Sequence, residues 1–388
     1  MIPSARIAAS IEILDTILAG DPPEKVMTRW GRANRYAGSG DRAAIRDQVF
    51  DVLRCKRSFG HLGGGDTGRA LMIGWARASD MDVSALFSGQ KFAPNPLSVG
   101  ELANHELFAA SRGIQLDWPD WLQARLDQDL GRDAEGVLKH LQSRASVFLR
   151  VNKSKAELRD AQDILAETDI ITEALPSSGA ALRVTKNARR VSQSRAYSLG
   201  LVEIQDLSSQ AVVDFLPLKN GDSVLDYCAG GGGKSLAMAA LADISLTVHD
   251  IDPDRMRDLP ARALRADVAI QMADRSELAG RKFDLVLCDA PCSGSGSWRR
   301  SPYGKWALTS DRLTQLCETQ ASILVEAAKL VSSDGVLAYV TCSIFDDEND
   351  GQVENFLGEH KTWRMSQSKQ WLPSDLGDGF YVALLKRD

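Results

Sequence analysis

The sequence predicts an α/β fold with a parallel, doubly wound sheet in its second half, after a helical region and a small mixed module. Three patterns indicate this order. Apolar residues recur at helical spacing in the first third, and short β-like runs follow between about residues 145 and 200. From about residue 206 onwards, strand-like runs alternate with helical patterns, which is typical of a parallel sheet with crossover helices. We therefore predict three parts, residues 1–140, 141–205 and 206–388.

The first two parts are predicted from apolar spacing. The stretches "RIAASIEILDTIL" and "DRAAIRDQVFDVLRCKRSF" each place apolar residues on one helical stripe, and these residues are Ile7, Ile11, Leu14, Leu18, Ile45, Val49, Phe50 and Leu53. A helical bundle is therefore expected for residues 1–140. In residues 141–205, the β-like runs "SVFLRVN" and "ALRVT" flank the helix-like run "KAELRDAQDILAET", which predicts a small α+β module.

The third part carries the large sheet and a glycine-rich loop. Its strand-like runs are "SVLDYC", "SLTVHD", "VAIQMA", "FDLVLCDA" and "VLAYVTCS". The stretch "DYCAGGGGKS" follows the first of these strands and precedes a helix that starts near Ser235. The amides of this loop therefore face whatever lies above the strand ends. The residues predicted to contact that ligand are Cys228, Ala229, Gly230, Gly231, Gly232, Gly233 and Lys234.

The glycine loop fits neither of two familiar nucleotide-binding patterns. A phosphate loop that ends at Ser235 needs glycine at position 228, where this chain has Cys228. The dinucleotide pattern G-x-G-x-x-G, started at Gly230 or Gly231, does not end on glycine. The loop alone therefore does not identify its ligand.

Acidic residues follow the second and third strands of this sheet. Asp250 ends "SLTVHD", and Asp274 closes the third strand region. A carboxylate in such a crevice can accept hydrogen bonds from ribose hydroxyls or an adenine amine, whereas it repels a triphosphate. The pattern predicts an adenosine cofactor without phosphates, such as S-adenosylmethionine.

Composition narrows the class of protein. The chain has 388 residues, 44% hydrophobic and 25% charged, which is usual for a globular protein and excludes a disordered one. Its net charge of -6 gives no general sign of nucleic-acid binding, so any such surface must be local. The cysteines lack C-x-x-C spacing, and no apolar run reaches the ~18 residues of a membrane span. We expect a cytoplasmic monomer with reduced thiols, no metal and no membrane contact.

Two cysteines occupy the carboxyl ends of consecutive strand-like runs. The run "FDLVLCDAPCSG" ends its strand on Asp289 and then presents Cys292, and "VLAYVTCS" presents Cys342. A lone cysteine is usually a small buried hydrophobe. This is the interpretation for Cys55, Cys288 and Cys317. Two thiols beside a cofactor crevice instead indicate nucleophilic chemistry.

These motifs resemble one family. The set "DYCAGGGGKS", "DAPCSGSGSWRRSP", "KW", "TQASILVEAAKL" and "YVTCSIFDDEND" resembles the RsmB/Nop/Sun family of S-adenosylmethionine-dependent RNA cytosine-5 methyltransferases over about residues 200–388. This resemblance implies a Rossmann-like class I methyltransferase fold there. Upstream, "GSGDRAAIRDQVFDVLR" resembles the NusB-like helical domain of the bacterial ribosomal-RNA members, and "FLRVNKSKAELRDAQ" and "VEIQDLSSQAV" resemble their linking module. The family usually has alanine-proline where this chain has Gly230-Gly231. This departure leaves the stiffness of the cofactor loop open.

The crevice residues suit the methylation of cytosine. Carbon 5 of cytosine becomes nucleophilic once a thiolate has added to carbon 6, and a carboxylic acid near nitrogen 3 stabilises the resulting charge. Asp289 is positioned for that role and for contact with the cofactor, and Lys234 is a candidate for favouring the thiolate or holding the base. Spacing alone leaves open which thiol attacks. The resemblance assigns the attack to Cys342 and product release to Cys292, whereas DNA cytosine methyltransferases use a proline-cysteine nucleophile.

Residues 290–310 are the main candidate RNA surface. They hold Arg299, Arg300 and Lys305 without an acidic residue, beside aromatic side chains that include Trp306. Cations and aromatic rings next to a catalytic thiol are what a splayed base and its backbone require. A second acid-free run, "RVTKNARRVSQSRAYS", can equally be a solvated face, and "RWGRANRY" is a weaker candidate. We expect a cytosine in a single strand or loop, because unstacking one from a helix costs about a few kcal/mol.

We therefore predict a cytoplasmic RNA cytosine-5 methyltransferase that acts on ribosomal RNA, with an RNA-binding NusB-like part at residues 1–140. Transfer RNA is the alternative substrate. A ribosome-assembly factor that retains a cofactor fold is the alternative from another class, and the intact Cys292, Cys342 and Asp289 argue against it. An NTP-binding protein is disfavoured by Cys228 at a position that requires glycine.

Overall fold

Helices build the first part of the chain, and two β-sheets follow. The structure, a computed structural model, describes residues 1–103, 105–176 and 178–388. They separate into two units, the first made of Met1–Arg144 and Trp298–Ala307, the second of Ala145–Ser297 and Leu308–Asp388. None of the helices in these described ranges has the length and apolar content that crossing a membrane requires.

The first unit is helical, as the apolar stripes predict. Its helices before residue 145 are α1 (Pro3–Leu18), α2 (Pro23–Ala33), α3 (Ser39–Arg54), α4 (Lys56–Gly63), α5 (Gly68–Ala78), α6 (Val83–Leu86), α7 (Arg112–Gln115), α8 (Gln123–Leu130) and α9 (Ala134–Gln142). The predicted stripe residues Ile7, Leu14, Ile45 and Val49 are at most 1% exposed and share one core. The stripes of α1 and α3 face this core because residues three and four apart lie on one side of a helix.

The segment Trp298–Ala307, which contains α15 (Tyr303–Ala307), holds the C-terminal end of α3. Lys305 Nζ donates a hydrogen bond to the carbonyl of Arg54 over 2.9 Å, and Trp306 Nε1 donates to the carbonyl of Leu53 over 2.6 Å. Carbonyl groups in the last turn of a helix lack intrahelical partners, and they favour a nearby cation. The ammonium and the indole N–H therefore cap α3.

This arrangement corrects the predicted RNA surface. Arg299 and Lys305 are each 2% exposed, and burial lowers the pKa of Lys305 to about 8. Their side chains are therefore not available to RNA phosphates, and Trp306 already donates its indole N–H within the protein. The sequence run shows the cations but not the helix end that needs them. Arg300 is exposed, and its contact with RNA stays a prediction.

The second unit begins with a small antiparallel sheet, as the predicted α+β module requires. Its strands follow the order β2-β3-β1-β4, and the elements are β1 (Val147–Val151), α10 (Leu158–Ala166), β2 (Ile171–Ala174), β3 (Ala181–Lys186), α11 (Arg195–Ser198) and β4 (Val202–Ile204). Leu149, Leu182 and Val202 from the strands share a core with Leu165 from α10. The small sheet and the large sheet belong to one unit, so the division into three domains stays a prediction.

The large sheet confirms the predicted Rossmann-like fold. Its elements are α12 (Leu207–Asp214), β5 (Ser223–Asp226), α13 (Gly233–Leu241), β6 (Ser245–Val248), α14 (Leu259–Ala266), β7 (Gln271–Met272), β8 (Phe283–Asp289), α16 (Ser310–Ala328), β9 (Val331–Thr341), α17 (Asp350–Glu359), β10 (Trp363–Trp371) and β11 (Phe380–Arg387). The strand order is β10-β11-β9-β8-β5-β6-β7. Strands β5 to β9 pair in parallel, whereas β10 and β11, which the sequence analysis did not predict, are antiparallel.

The central strands are buried on both faces, and they open a crevice at one end. Val224 and Leu285 face the core that α13 covers, whereas Leu225 and Val286 face the core that includes Leu324 of α16. The chain runs from β5 to β6 on one side and later to β8 on the other side. Such a reversal of strand order separates the loops at the carboxyl ends, and ligands bind there in open α/β sheets.

Two glycines let α4 and α5 of the helical unit approach each other closely. A Cβ atom added at Gly63 would lie 1.8 Å from the carbonyl oxygen of Ala70, and one at Gly74 would lie 1.8 Å from that of Phe59. Both neighbours are backbone atoms, so a side chain at either position needs the helices to move apart.

We therefore expect Gly74→Ala to lower the free energy of unfolding by about 3 kcal/mol, the upper part of the usual range for overpacking. Gly136→Ala in α9 is the matched control, because nothing lies within 4 Å of its Cβ position. Alanine favours a helix over glycine by about 1 kcal/mol, so this control should not destabilise the protein. Denaturant unfolding followed by circular dichroism measures both variants, and equal effects would contradict the close approach.

Candidate active site

The loop between β5 and α13 needs glycine at two positions. Gly230 and Gly232 have φ values of +49° and +76°, in the left-handed region that side chains disfavour. At Gly232 a Cβ atom would also lie 2.1 Å from Leu259 Cδ1. The amide of Gly230 donates to Asp250 Oδ2 over 2.9 Å, and that of Gly232 donates to the carbonyl of Ala229 over 2.8 Å. The glycine run is thus required by the backbone shape of a tight turn.

Side chains from outside this loop hold its carbonyl groups. Arg262 on α14 donates from Nη1 to the carbonyl of Gly231 and from Nη2 to Glu203 Oε2, the second bond over 2.9 Å. Gln205 Nε2 donates to the carbonyl of Gly233 over 3.3 Å. The sequence analysis did not assign Glu203, Gln205 or Arg262 to the site. Glu203 and Gln205 lie in the run "VEIQDLSSQAV", which was interpreted only as part of the linking module, and all three residues are far from the loop in sequence.

A cavity of 430 Å³ is lined by residues that follow β5 and β6. Asp250, which is 3% exposed, lines it and also accepts a hydrogen bond from the amide of Asp252 over 3.0 Å. Arg255 Nη1 lies 3.1 Å from Asp250 Oδ2. The cavity has the volume of a small-molecule site, with apolar walls and a few polar groups. Its walls include Tyr227, Cys228, Ile251, Pro291 and Ile323.

The structure separates the predicted acidic cofactor residues. Asp250 is at the cavity, whereas Asp274 lies outside the set of described residues that line it. Asp274 Oδ1 accepts hydrogen bonds from the amides of Ser276 and Glu277 over 2.8 Å and 3.0 Å, so it caps the turn after β7. This local role differs from the predicted contact with a cofactor, because a short polar side chain in a turn bonds to its own backbone.

Lys234 and Asp289, both predicted as catalytic residues, form an ion pair. Lys234 Nζ lies 2.6 Å from Asp289 Oδ2 and 4.9 Å from the centre of the Phe380 ring. The lysine is 7% exposed, whereas the carboxylate side chain is 34% exposed. The ammonium is therefore held inside the protein, and Asp289 remains accessible to a ligand at the end of β8.

The two predicted catalytic thiols meet at the ends of β8 and β9. Cys292 Sγ lies 3.4 Å from Cys342 Sγ, and both side chains are half-buried. The hydrogen bond from Cys292 lowers the pKa of Cys342. Burial and the Asp289 carboxylate oppose this shift, and the Lys234 ammonium favours it to a smaller extent. The same hydrogen bond, burial and the Glu348 carboxylate raise the pKa of Cys292. The pair is thus polarised, with Cys342 favoured as the thiolate and Cys292 as the S–H donor.

Two buried carboxylates near the site were not predicted. Burial raises the pKa of Asp226, the last residue of β5, to about 7, and Ser235 Oγ donates to it over 2.5 Å. Its position at a strand end was a usable signal, since Asp250 and Asp289 were identified from that position. Glu348 is 0% exposed and bonds to residues next to both thiols. It lies in the acidic run "DDEND", which suggests a solvated surface, so the sequence carried no signal for its burial.

Family comparisons match two parts of the chain. Residues 213–386 match the family described as 16S rRNA methyltransferase RsmB/F, and residues 118–191 match the ferredoxin-like domain of RsmF/B-like methyltransferases. The ribosomal RNA small subunit methyltransferase B of Yersinia pestis bv. Antiqua (strain Angola) is 32% identical over 280 residues. That alignment covers 68% of this chain and 65% of the relative, so the chain spans about 65% of the length of the curated relative it matches.

Two solved structures share the fold of this chain, and the family comparisons indicate the methyltransferase family. The crystal structure of PH0851 has a TM-score of 0.80 and 22% identity, and the alignment covers 100% of this chain and 99% of that one. NSun6 from Pyrococcus horikoshii has a TM-score of 0.62 and 18% identity, over 70% of this chain and 98% of that one. These likenesses confirm the predicted Rossmann-like fold. The 32% identical relative and the two matched domain families together support an RsmB/Sun family methyltransferase.

Proposed function

We propose that this chain is an S-adenosylmethionine-dependent RNA cytosine-5 methyltransferase that acts on ribosomal RNA through a covalent bond from Cys342. The observation that carries the proposal is the pair of thiols 3.4 Å apart, polarised beside the Lys234–Asp289 ion pair. An unactivated ring carbon needs such a nucleophile, and a second thiol at hydrogen-bonding distance supplies a group that moves a proton. The matched curated relative is named as a ribosomal RNA methyltransferase, which supports this substrate class.

The cavity residues fit S-adenosylmethionine. Asp250 offers a carboxylate to ribose hydroxyls, and Ile251 offers an apolar surface to a flat adenine. Arg255 and Arg275 at the cavity form ion pairs with Asp250 and Glu326, so their charge is already balanced. A nucleoside with no phosphates suits this balance better than a triphosphate. When bound, the cofactor supplies an electrophilic methyl group on a sulfonium centre.

Covalent attack begins at Cys342. Its thiolate forms the Sγ–C6 bond, and the electrons of the C5–C6 double bond move into the ring as nitrogen 3 takes up a proton. Asp289 is exposed enough to meet nitrogen 3, and its partner Lys234 holds a proton that can pass through the carboxylate. Carbon 5 is then electron-rich and able to accept a methyl group.

Product release then falls to Cys292. Once Cys342 Sγ is bonded to carbon 6 it carries no negative charge, so one cause of the raised pKa of Cys292 disappears. Cys292 can then lose its proton to solvent and take the proton from carbon 5. The C5–H electrons restore the double bond, the Sγ–C6 bond breaks, and Cys342 leaves as a thiolate. The proton on nitrogen 3 returns through Asp289 to Lys234. One proton is released in each cycle.

The direct test of this function is the identity of the methylated nucleoside. The purified chain is incubated with methyl-labelled S-adenosylmethionine and either unmodified 16S rRNA or a transfer RNA transcript, and the RNA is digested to nucleosides. We expect label in 5-methylcytidine from the ribosomal RNA. Label in another nucleoside, or only in transfer RNA, would contradict the proposal.

Single substitutions of the two thiols should have different effects on methylation and on covalent attachment. Cys342→Ala should abolish both methylation and covalent attachment, because the bond to carbon 6 cannot form. Cys292→Ala should add and methylate once and then stall, so a protein–RNA adduct that carries labelled methyl should survive denaturing electrophoresis. Cys317→Ala, a thiol outside the site, should behave as the parent. A stable adduct in Cys342→Ala instead would reverse the assigned roles.

The acidic residues give a test of the cofactor site. Asp250→Ala should weaken S-adenosylmethionine binding by about 1.5 to 3 kcal/mol, the scale of hydrogen bonds to a charged group. Asp274→Ala should leave the dissociation constant unchanged, because that carboxylate caps a turn outside the cavity. Isothermal titration calorimetry measures both. An equal loss in the two variants would show that the effect is not local to the cavity.

Exposed cations of the small sheet give a test of RNA binding. Lys186 and Arg190 belong to the acid-free run, and both are exposed. Replacing both by alanine should flatten the plot of log affinity against log salt by about 1.4, which is about 0.7 for each single-strand phosphate that the protein no longer neutralises. Lys219→Ala with Lys361→Ala removes the same charge from other exposed positions and serves as the control. Equal slopes in both double variants would remove this face from the RNA surface.

A further inference from the structure

Glu348 bonds to both loops that carry the thiols. Its Oε1 accepts hydrogen bonds from the amide of Ser293 over 2.8 Å and from Gln320 Nε2 over 3.0 Å. Its Oε2 accepts from Ser293 Oγ and Ser343 Oγ, each over 2.5 Å. Ser293 directly follows Cys292, and Ser343 directly follows Cys342. One side chain therefore connects the residues next to both sulfur atoms.

Further bonds join the same two loops around this carboxylate. Ser295 Oγ lies 3.0 Å from Ser343 Oγ, and the amide of Gly296 donates to the carbonyl of Cys342 over 2.9 Å. Gln320 on α16 donates to Glu348 and also to the carbonyl of Pro291, both over 3.0 Å. Glu348 accepts from Ser293, Ser343 and Gln320, so it lies at the centre of this network.

A buried carboxylate at this position needs an explanation. Glu348 is 0% exposed, and burying a charge is costly unless donors surround it. Its charge raises the pKa of Cys292, which agrees with Cys292 as the S–H donor. A buried carboxylate that accepts four hydrogen bonds is best explained by what those bonds hold in place.

We propose that Glu348 is a positioning residue that holds the Cys292 loop and the Cys342 loop together, so that the Cys292 S–H stays bonded to Cys342 Sγ. The expected effect of this residue on methylation rests on the proposed function. The expected effect on the reactivity of Cys342 does not, because alkylation of Cys342 by a small reagent can be measured without RNA or cofactor.

Two substitutions separate position from charge. In Glu348→Gln, the amide oxygen can still accept from Ser293 N and Gln320, and the amide NH2 can donate to the Ser293 and Ser343 hydroxyls, which also accept. This variant keeps the connection and removes the charge. Glu348→Ala removes both. A positioning role therefore predicts a loss of reactivity in Glu348→Ala alone, whereas a charge effect predicts the same change in both variants.

The measurement is the rate of iodoacetamide alkylation at Cys342 across a pH series, read by peptide mass spectrometry. We expect Glu348→Ala to slow alkylation at pH 7 about tenfold, since a rise of one unit in the thiol pKa, on loss of the hydrogen bond from Cys292, reduces the thiolate tenfold. Glu348→Gln should react at least as fast as the parent. An equal change in both variants, in either direction, would reduce Glu348 to a charge effect and overturn the proposal.

Controls keep the result independent of folding and of the proposed function. Glu354→Ala changes an exposed carboxylate on α17 and should match the parent. If circular dichroism shows that Glu348→Ala does not fold, the double variant Ser293→Ala with Ser343→Ala removes the two hydroxyl donors and should also slow alkylation. An unchanged rate in that double variant would overturn the proposal.

Methylation assays test the consequence for catalysis. We expect kcat to fall in Glu348→Ala and to be retained in Glu348→Gln, and we expect the KM for the cofactor to be unchanged in both variants. A parent without methylation activity would refute the proposed function while leaving the alkylation result valid.

Discussion

The parallel pairing of β8 with β9 determines the chemistry of this site. Asp289 lies opposite Val340 in the register of the two strands, so the chain segments that follow both strands emerge side by side. Cys292 and Cys342 belong to these segments, and their sulfur atoms are 3.4 Å apart. Side chains alternate along a strand, so a register shift of one residue would turn Asp289 toward the opposite face. The distance between the two thiols is therefore set first by the backbone hydrogen bonds between β8 and β9.

The glycine loop lies between the cavity and the thiols. Its tight turn brings Gly230 to Asp250 at the cavity, and it ends where α13 begins, which places Lys234 beside Asp289. The Lys234 ammonium favours a lower pKa of Cys342, whereas Asp289 opposes it. The shape of this loop therefore fixes both the position of Asp250 and the charges near Cys342.

What the sequence could predict depends on how local each signal is. The parallel strands, the glycine loop after β5 and the placement of the two thiols at strand ends were predicted correctly, because apolar periodicity and strand-end polar residues are local patterns. The antiparallel strands β10 and β11 were not predicted. The capping role of Lys305 was not, because the helix end that it caps lies 251 positions away in sequence. The burial of Glu348 was not predicted for the same reason, because its donors Ser293 and Gln320 lie far away in sequence. Asp274 differs, because its partners in the turn are two and three residues away.

The departure at Gly230-Gly231 has two local consequences. Gly230 has φ +49°, a conformation that glycine adopts without strain and alanine does not. At the second position proline would restrict the unfolded chain by about 0.4 to 1 kcal/mol relative to a flexible residue, and this chain lacks that restriction. In the folded state Arg262 holds the carbonyl of Gly231, and a Cβ atom at Gly231 would lie 3.0 Å from Arg262 Nη1, so a side chain there requires the guanidinium to shift slightly. Arg262 is in turn held by Glu203 on β4, so a residue of the small sheet fixes the arginine that holds this loop.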